Sequence, residues 1–325
     1  MYYYFRFYLS HIKMLETISE KIHSLLHILN DAIPVIKPNQ KAKILWDVLI
    51  LIIIVFFFFV IPVQISFDIF YDEQFTMLMD DKNVSLTITH FILMIPEAIM
   101  ITDTVLKLIT GYYDQGIIIM CKEKIIKKYL KKGLIYDILS YCPILMQSFY
   151  KNDLFNSNGT FGLILKFLQL LVFCKLKRIN TLLRNFEDVI VLNGKHDYLL
   201  NLVRISFRIV FVAHLNACVW HAIAYYNSDI NNWLVYADLQ DASWVVKYWN
   251  SMYWAVSAMV TVGFGGEKVS PQNNLELMVG VVILLISAYI FGYTLNSMKQ
   301  IFDLMSKNEN EFKYIIIFSL FFNVK

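Results

Sequence analysis

The chain has 325 residues, of which 58% are hydrophobic, 16% aromatic and only 17% charged, with a mean hydropathy of +0.52 and a formal net charge of +3. A water-soluble domain carries about a quarter charged residues, so this balance excludes an ordinary soluble fold and points to a chain that crosses a membrane several times. The small net charge says little about nucleic acid, and no basic patch interleaved with aromatics points to it as a partner.

The four cysteines (Cys121, Cys142, Cys174 and Cys218) are widely spaced, which fits reduced thiols and neither a disulfide framework nor a paired-cysteine metal site. The stretch from Met1 to Asn30 lacks an apolar core followed by a small-residue cleavage site, so it does not read as a signal peptide. The first span then serves as the insertion signal.

Six spans are expected. The first runs from about Ile44 to Val63 and is apolar all round. The second, about Leu86 to Ile109, is interrupted by Pro96, Glu97 and Asp103. The third, about Gly133 to Phe149, carries Asp137 and Pro143, and the fourth, about Phe161 to Ile179, carries Lys166, Lys175, Lys177 and Arg178. The fifth is about Leu199 to Ala224 and the sixth about Leu275 to Phe302. Between the last two lies an apolar segment, Trp244 to Val260, too short to cross. It has to enter and return, which backbone at membrane depth tolerates only when buried in protein or lining a watery cavity.

Loop charge sets the orientation. Arg6, Lys13, Lys21, Lys37, Lys41 and Lys43 precede the first span, and Lys122, Lys124, Lys127, Lys128, Lys131 and Lys132 follow the second. The loop after the first span is acidic, with Asp68, Asp72, Glu73, Asp80 and Asp81. The positive-inside rule therefore places both termini in the cytoplasm. The sequons at Asn83 and Asn158 fall in loops this topology puts outside, a mild consistency. No internal repeat is visible, so a four-fold assembly needs four chains.

An ionisable side chain inside a span is costly and is usually functional or paired. In the fourth span Lys166, Gln169, Val172, Lys175 and Arg178 fall at every third position, and Arg184 continues the register past Thr181. On a helix that spacing makes a slowly winding stripe, the arrangement of a voltage sensor; the plainer reading is cations snorkelling at the cytoplasmic end. One charge crossing 100 mV is worth about 2.3 kcal/mol. Only Lys166 lies deep, and two stripe positions are uncharged, so the expected voltage dependence is weak or shifted. Glu97, Asp103 and Asp137 are the counter-charges, either for a moving stripe or in fixed ion pairs.

Thr261-Val262-Gly263-Phe264-Gly265 follows the short apolar segment. Two glycines alternating with other residues let the backbone aim successive carbonyls one way, and four such strands around an axis make oxygen rings able to replace the water shell of a potassium ion. The potassium-channel sequence TVGYG is the standard example of such a filter, and Phe264 stands where that example has tyrosine. The plainer reading is a Gly-rich turn between helices. Trp249, Tyr253 and Trp254 are expected to buttress the run from the pore helix; Trp233 and Trp244 also fit an interfacial aromatic belt. Gly280 and Gly292 are candidate hinges in the last span, though glycine also serves close helix packing. His214 and His221 are seven apart, and core packing suits them better than metal binding.

These residues together resemble the voltage-gated potassium channels of the ether-à-go-go and cyclic-nucleotide-regulated type. The likeness is carried by Trp46-Asp47, the run Glu97 to Asp103, Tyr129-Leu130, the run Asp137 to Ser140, and Pro143. It continues through the run His214 to Trp220, Ser243-Trp244, the run Ser251 to Ala255, the filter, Ser270-Pro271, the run Asn274 to Glu276, Ile290-Phe291, Tyr293 and Asn296. It departs at Met100, where the family has an aromatic plug, at Val260, where a threonine is common, and at Gly266, where an aspartate or asparagine is common.

The resemblance implies an all-α membrane protein of six transmembrane helices with a re-entrant pore helix and a selectivity filter. It further implies a homo- or hetero-tetramer in the lipid bilayer, K+ ions in the filter as the only bound species, and no catalytic site. The implied divisions are a cytoplasmic segment (1–43), a voltage-sensor-like four-helix unit (44–185), a pore unit (186–303) and the start of a cytoplasmic linker (304–325). Family members continue into a cyclic-nucleotide-binding domain, so the chain reads as C-terminally truncated. Two alternatives stay open beside a weakly voltage-dependent potassium channel: a non-conducting regulatory subunit, and a non-selective cation channel on the same scaffold. A transporter or enzyme lacks paired half-repeats or metal-spaced clusters to support it.

Overall fold

The computed structural model describes residues 34–67, 82–114, 117–149, 160–190, 197–227, 231–262 and 269–322. Helix α1 (Lys41–Phe67) is built of isoleucine, valine and phenylalanine, poor helix formers in water. In lipid the backbone has no other way to satisfy its N–H and C=O groups, so the run is helical regardless of propensity. Its 27 residues reach about 40 Å at 1.5 Å per residue, enough to cross the hydrocarbon core.

Helix α2 (Lys82–Leu108) ends beside the entry to α1: the Ile36 N–H donates to the Ile109 carbonyl (2.9 Å) and the Gly111 N–H to the Ile36 carbonyl (3.0 Å). A small antiparallel hairpin follows, β1 (Tyr112–Asp114) against β2 (Ile117–Ile119), with Tyr112 opposite Ile119. A Cβ on Gly111 would come within 2.9 Å of the Ile119 carbonyl, so the base of the hairpin needs glycine. The basic helix α3 (Lys122–Lys132) is closed by Gly133, whose N–H donates to Tyr129 O at 2.7 Å, and α4 (Leu134–Phe149) begins directly after it.

The fourth span differs from a uniform α-helix. It comprises α5 (Thr160–Leu168), a 3-10 segment (Gln169–Lys175) and α6 (Leu176–Ile190). Then come α7 (Asp197–Tyr226), the short α8 (Trp233–Tyr236), α9 (Trp244–Met259) and α10 (Asn274–Phe322). Among the described residues three helical stretches are long and apolar enough to cross a membrane: Lys41–Phe67, Leu200–Tyr226 and Asn274–Asp303. Helices α2, α4 and the α5–α6 stretch complete the six; they are shorter or carry ionisable side chains, of which Glu97, Asp103, Asp137, Lys166 and Lys175 are buried. Helix α9, at 16 residues, is too short to cross. Helix α10 runs unbroken past residue 303 and takes in the apolar stretch after Tyr314.

One apolar core joins α1, α2, α4 and the 3-10 segment through Ile54, Phe58, Met100, Ile144 and Val172. A second joins α7, α8, α9 and α10 through Trp220, Trp233, Trp254 and Ile283. An aromatic seam between α1 and α7 connects them. Phe58 stacks on Phe211 (centroids 5.9 Å), Phe59 tilts onto His214 (4.8 Å) and Phe67 stacks on His221 (3.9 Å). The seam is pinned by the His221 Nδ1–H donating to the Ser66 carbonyl (2.7 Å) and the Tyr226 hydroxyl to the Ile65 carbonyl (2.8 Å).

Candidate functional site: a buried charge cluster and the end of the pore helix

Asp103 and Asp137 are 1% and 6% exposed and lie in one cluster. Lys107 Nζ bridges them, 2.8 Å from Asp103 Oδ2 and 2.8 Å from Asp137 Oδ2. Lys175 Nζ lies 3.5 Å from Asp137 Oδ1, and Arg178 Nη2 lies 3.4 Å from Asp47 Oδ1 and 4.0 Å from Asp103 Oδ1. Lys43 Nζ is 2.7 Å from Asp47 Oδ1 and 4.0 Å from Asp103 Oδ1, and the Trp46 indole N–H donates to Asp103 Oδ1 at 3.2 Å. The Tyr129 hydroxyl donates to Asp137 Oδ2 at 2.6 Å. Burial, followed by its bond to Asp137, pushes the Tyr129 hydroxyl well above the ordinary phenol pKa, so it stays a donor. Among the described residues three carboxylates thus face four cations.

The stripe of the fourth span faces the protein interior from Lys166 to Lys175. Lys166, Gln169, Val172 and Lys175 are all buried. An α-helix would turn positions three and six residues on by about 60° and 120° away from the first. The 3-10 form has three residues per turn, so Gln169, Val172 and Lys175 eclipse and share one line. The slow winding read from spacing is therefore replaced by a straight row through this segment. Val172 packs in the same core as Met100 and Ile144, an apolar layer with Lys166 and Gln169 on one side along the span and Lys175 and Arg178 on the other. On α2, Glu97 (1% exposed) and Asp103 flank Met100 one turn to either side. Arg184 lies on α6, and its side chain is outside the described residues.

Five members of the cluster were not singled out as site residues from sequence: Lys43, Trp46, Asp47, Lys107 and Tyr129. Two of them had a legible signal. Lys107 follows Asp103 by four residues and Lys43 precedes Asp47 by four, the spacing of neighbours on a helix face. Lys43 read only as loop charge, and Tyr129 needs tertiary contact to meet Asp137.

At the pore helix, Trp254 is buried and stacks flat on Trp220 (3.7 Å between centroids, 8° between planes). Trp220 in turn stacks on Trp233 at 6.3 Å, whose indole N–H donates to the Trp220 carbonyl. Trp233 is fully buried, so it belongs to this stack and not to an interfacial belt. Trp249 and Tyr253 are 63% and 60% exposed on the single chain. Glu276 is fully buried: Oε1 accepts from the Trp233 N–H (3.1 Å), Oε2 from the Gln272 N–H (2.8 Å), and its own N–H donates to Asn273 Oδ1 (2.8 Å). It is a capping-box carboxylate at the start of α10 that also holds α8 in place.

Helix α9 ends in a paired closure: the Thr261 N–H donates to Ala258 O (3.3 Å) and the Val262 N–H to Ser257 O (3.2 Å). This is a Schellman turn with Thr261 in the left-handed position, φ 56°, that glycine usually takes. A β-branched residue there is strained by about 1–3 kcal/mol. The turn redirects the chain at Thr261 and Val262, the first two residues of the expected filter; Gly263, Phe264 and Gly265 lie outside the described residues.

His214 shares a 3.0 Å hydrogen bond with the Tyr248 hydroxyl, and both His214 and His221 are buried in aromatic packing. In α10, a Cβ on Gly280 would sit 3.6 Å from the Trp220 ring, whereas one on Gly292 would meet nothing within 4 Å. The helix is continuous through both.

The family profile described as "Ion transport protein" matches residues 43–324. The chain is 22% identical over 290 residues to "Potassium channel KAT1" of Arabidopsis thaliana, covering 88% of this chain and 39% of that protein. It is 23% identical over 299 residues to "Voltage-gated delayed rectifier potassium channel KCNH5" of Homo sapiens, covering 83% and 27%. It is 23% identical over 216 residues to "Potassium channel AKT2" of Oryza sativa subsp. japonica, covering 65% and 24%. The chain thus spans between a quarter and two fifths of the length of these curated relatives.

Proposed function

We propose that this chain, which belongs to the ion transport protein family, is one subunit of a potassium-selective, weakly voltage-dependent channel formed in the membrane by four like chains. Membership makes it a channel protein and not an enzyme. The observation that carries the finer reading is the end of α9, where the Schellman turn delivers Thr261 and Val262 into a Thr-Val-Gly-Phe-Gly run. Carbonyls of Thr261, Val262, Gly263 and Phe264, with the Thr261 hydroxyl, would line the potassium sites, and Gly265 would close the run. Trp254 steadies the pore helix from within the chain. Trp249 and Tyr253, uncovered on one chain, are suited to meet neighbouring copies.

Residues 44–185 form the sensor-like unit and 186–303 the pore unit, with 1–43 and 304–325 cytoplasmic. Lys166, Lys175, Arg178 and Arg184 are its sensing charges and Glu97, Asp103 and Asp137 their partners. Gly280 and Gly292 are the bending points of an inner gate. The uncharged Val172 in the apolar layer supports weak sensing, because few charges then cross the field.

Reversal potentials under potassium and sodium gradients test the reading. The reversal potential of the expressed chain follows potassium alone, and Gly263→Ala abolishes current or preference. A reversal potential that follows sodium equally makes it a non-selective cation channel. Current only on co-expression with a related subunit makes it a regulatory subunit.

A further inference from the structure

Lys107 is the best-coordinated cation in the charge cluster, yet it belongs to α2 and cannot travel with the fourth span. It sits 2.8 Å from each of Asp103 and Asp137, while Lys175 and Arg178 approach the same two carboxylates only to 3.5 and 4.0 Å. Arg178 finds its nearer oxygen on Asp47 instead, at 3.4 Å, where Lys43 is already bound at 2.7 Å. We propose that Lys107 is a resident counter-ion that pre-empts the acidic site, so that the fourth span's own cations are held loosely. This inference rests on the sensor reading above and on cytoplasmic termini, which place the cluster toward the inner face.

The argument is one of competition at fixed charge. Asp103 is 1% exposed and its carboxylate cannot be left unpaired, so some cation must occupy it. With Lys107 in place, the cluster already holds one cation more than it has carboxylates, and the fourth span gains little by keeping Lys175 and Arg178 there. Without Lys107, the described residues leave Asp103 and Asp137 with Lys175, Arg178 and Lys43 within reach, together with the neutral donors Trp46 and Tyr129. Lys175 and Arg178 are then gripped inward, and a stronger field is needed to pull them out. Lys107 therefore positions the sensor's resting equilibrium without being one of its moving charges.

Gating currents recorded with permeant ions removed test this. The midpoint of charge movement in Lys107→Gln is expected to shift to more positive voltages with the total charge unchanged, and Lys107→Arg is expected to stay at the wild-type midpoint. In Lys107→His, lowering cytoplasmic pH through the ordinary imidazole range, about 6.5, returns the midpoint toward wild type, because the added proton restores the cation. Wild type shows no such return. The pH-driven return is read within one protein already at the surface, so it decides the matter even if Lys107→Gln fails to assemble. An unmoved midpoint in Lys107→Gln, or a Lys107→His midpoint that ignores pH, overturns this inference alone. A wild type that moves no charge overturns the sensor reading together with it.

Discussion

Asp103, Asp137 and Glu276 are buried carboxylates held by different means. The first two are matched by cations, and removing one member of such a pairing leaves a buried charge uncompensated, at a cost of about 3–5 kcal/mol. Asp103→Asn is therefore expected to sharply lower surface expression and thermal stability in detergent, measured on the purified chain. Glu276 instead uses two backbone N–H donors, from Trp233 and Gln272. Glu276→Gln keeps the shape but turns one acceptor into a donor facing an N–H. The expected loss is about 1–3 kcal/mol, seen as a lowered Tm with normal permeation preference. Tyr129→Phe removes a single donor to Asp137 and is expected to cost about 1.5–3 kcal/mol, since the acceptor is charged.

The lesson about legibility lies at the level of elements. Apolar length located α1, α7 and α10, and the Trp244–Met259 pore helix was legible because it was too short to cross. Spacing marked Lys175 and Arg178, and charge inside a span marked Asp103 and Asp137; the fold brings all four into one cluster. What spacing could not show was the 3-10 stretch Gln169–Lys175, because a period of three residues fits a winding α-helical stripe and a straight 3-10 row equally well. The choice is made by tertiary packing, which buries Gln169, Val172 and Lys175 and seats Val172 in the core with Met100 and Ile144. Trp233 misled for a related reason: tryptophan suits both a membrane interface and a buried stack. A straight row has a testable consequence. Val172→Arg puts a cation in line with Lys175 at the apolar layer, and the slope of charge movement against voltage is expected to steepen, each added charge being worth about 2.3 kcal/mol per 100 mV.

Most of the surface of α10 is uncovered on one chain: Met278, Leu285 and Tyr289 are 66%, 67% and 73% exposed. Lipid can cover some of this, and on the proposed function the exposed aromatics of α9, Trp249 and Tyr253, meet neighbouring copies. A particle of four times the chain's 38.2 kDa is therefore expected in native mass measurements from mild detergent. Trp249→Ala together with Tyr253→Ala is expected to shift that particle toward single chains while leaving helix content intact.

The ring-on-ring contact of Phe58, Phe59 and Phe67 with Phe211, His214 and His221 lies wholly inside one polypeptide. In the four-chain assembly proposed above, each copy would then carry its own mechanical link between the bundle of α1 to α6 and the helices that follow. A lesion in that link acts by dosage: in concatemers with zero to four altered copies, the response falls off stepwise with their number, and no single damaged copy silences the ring.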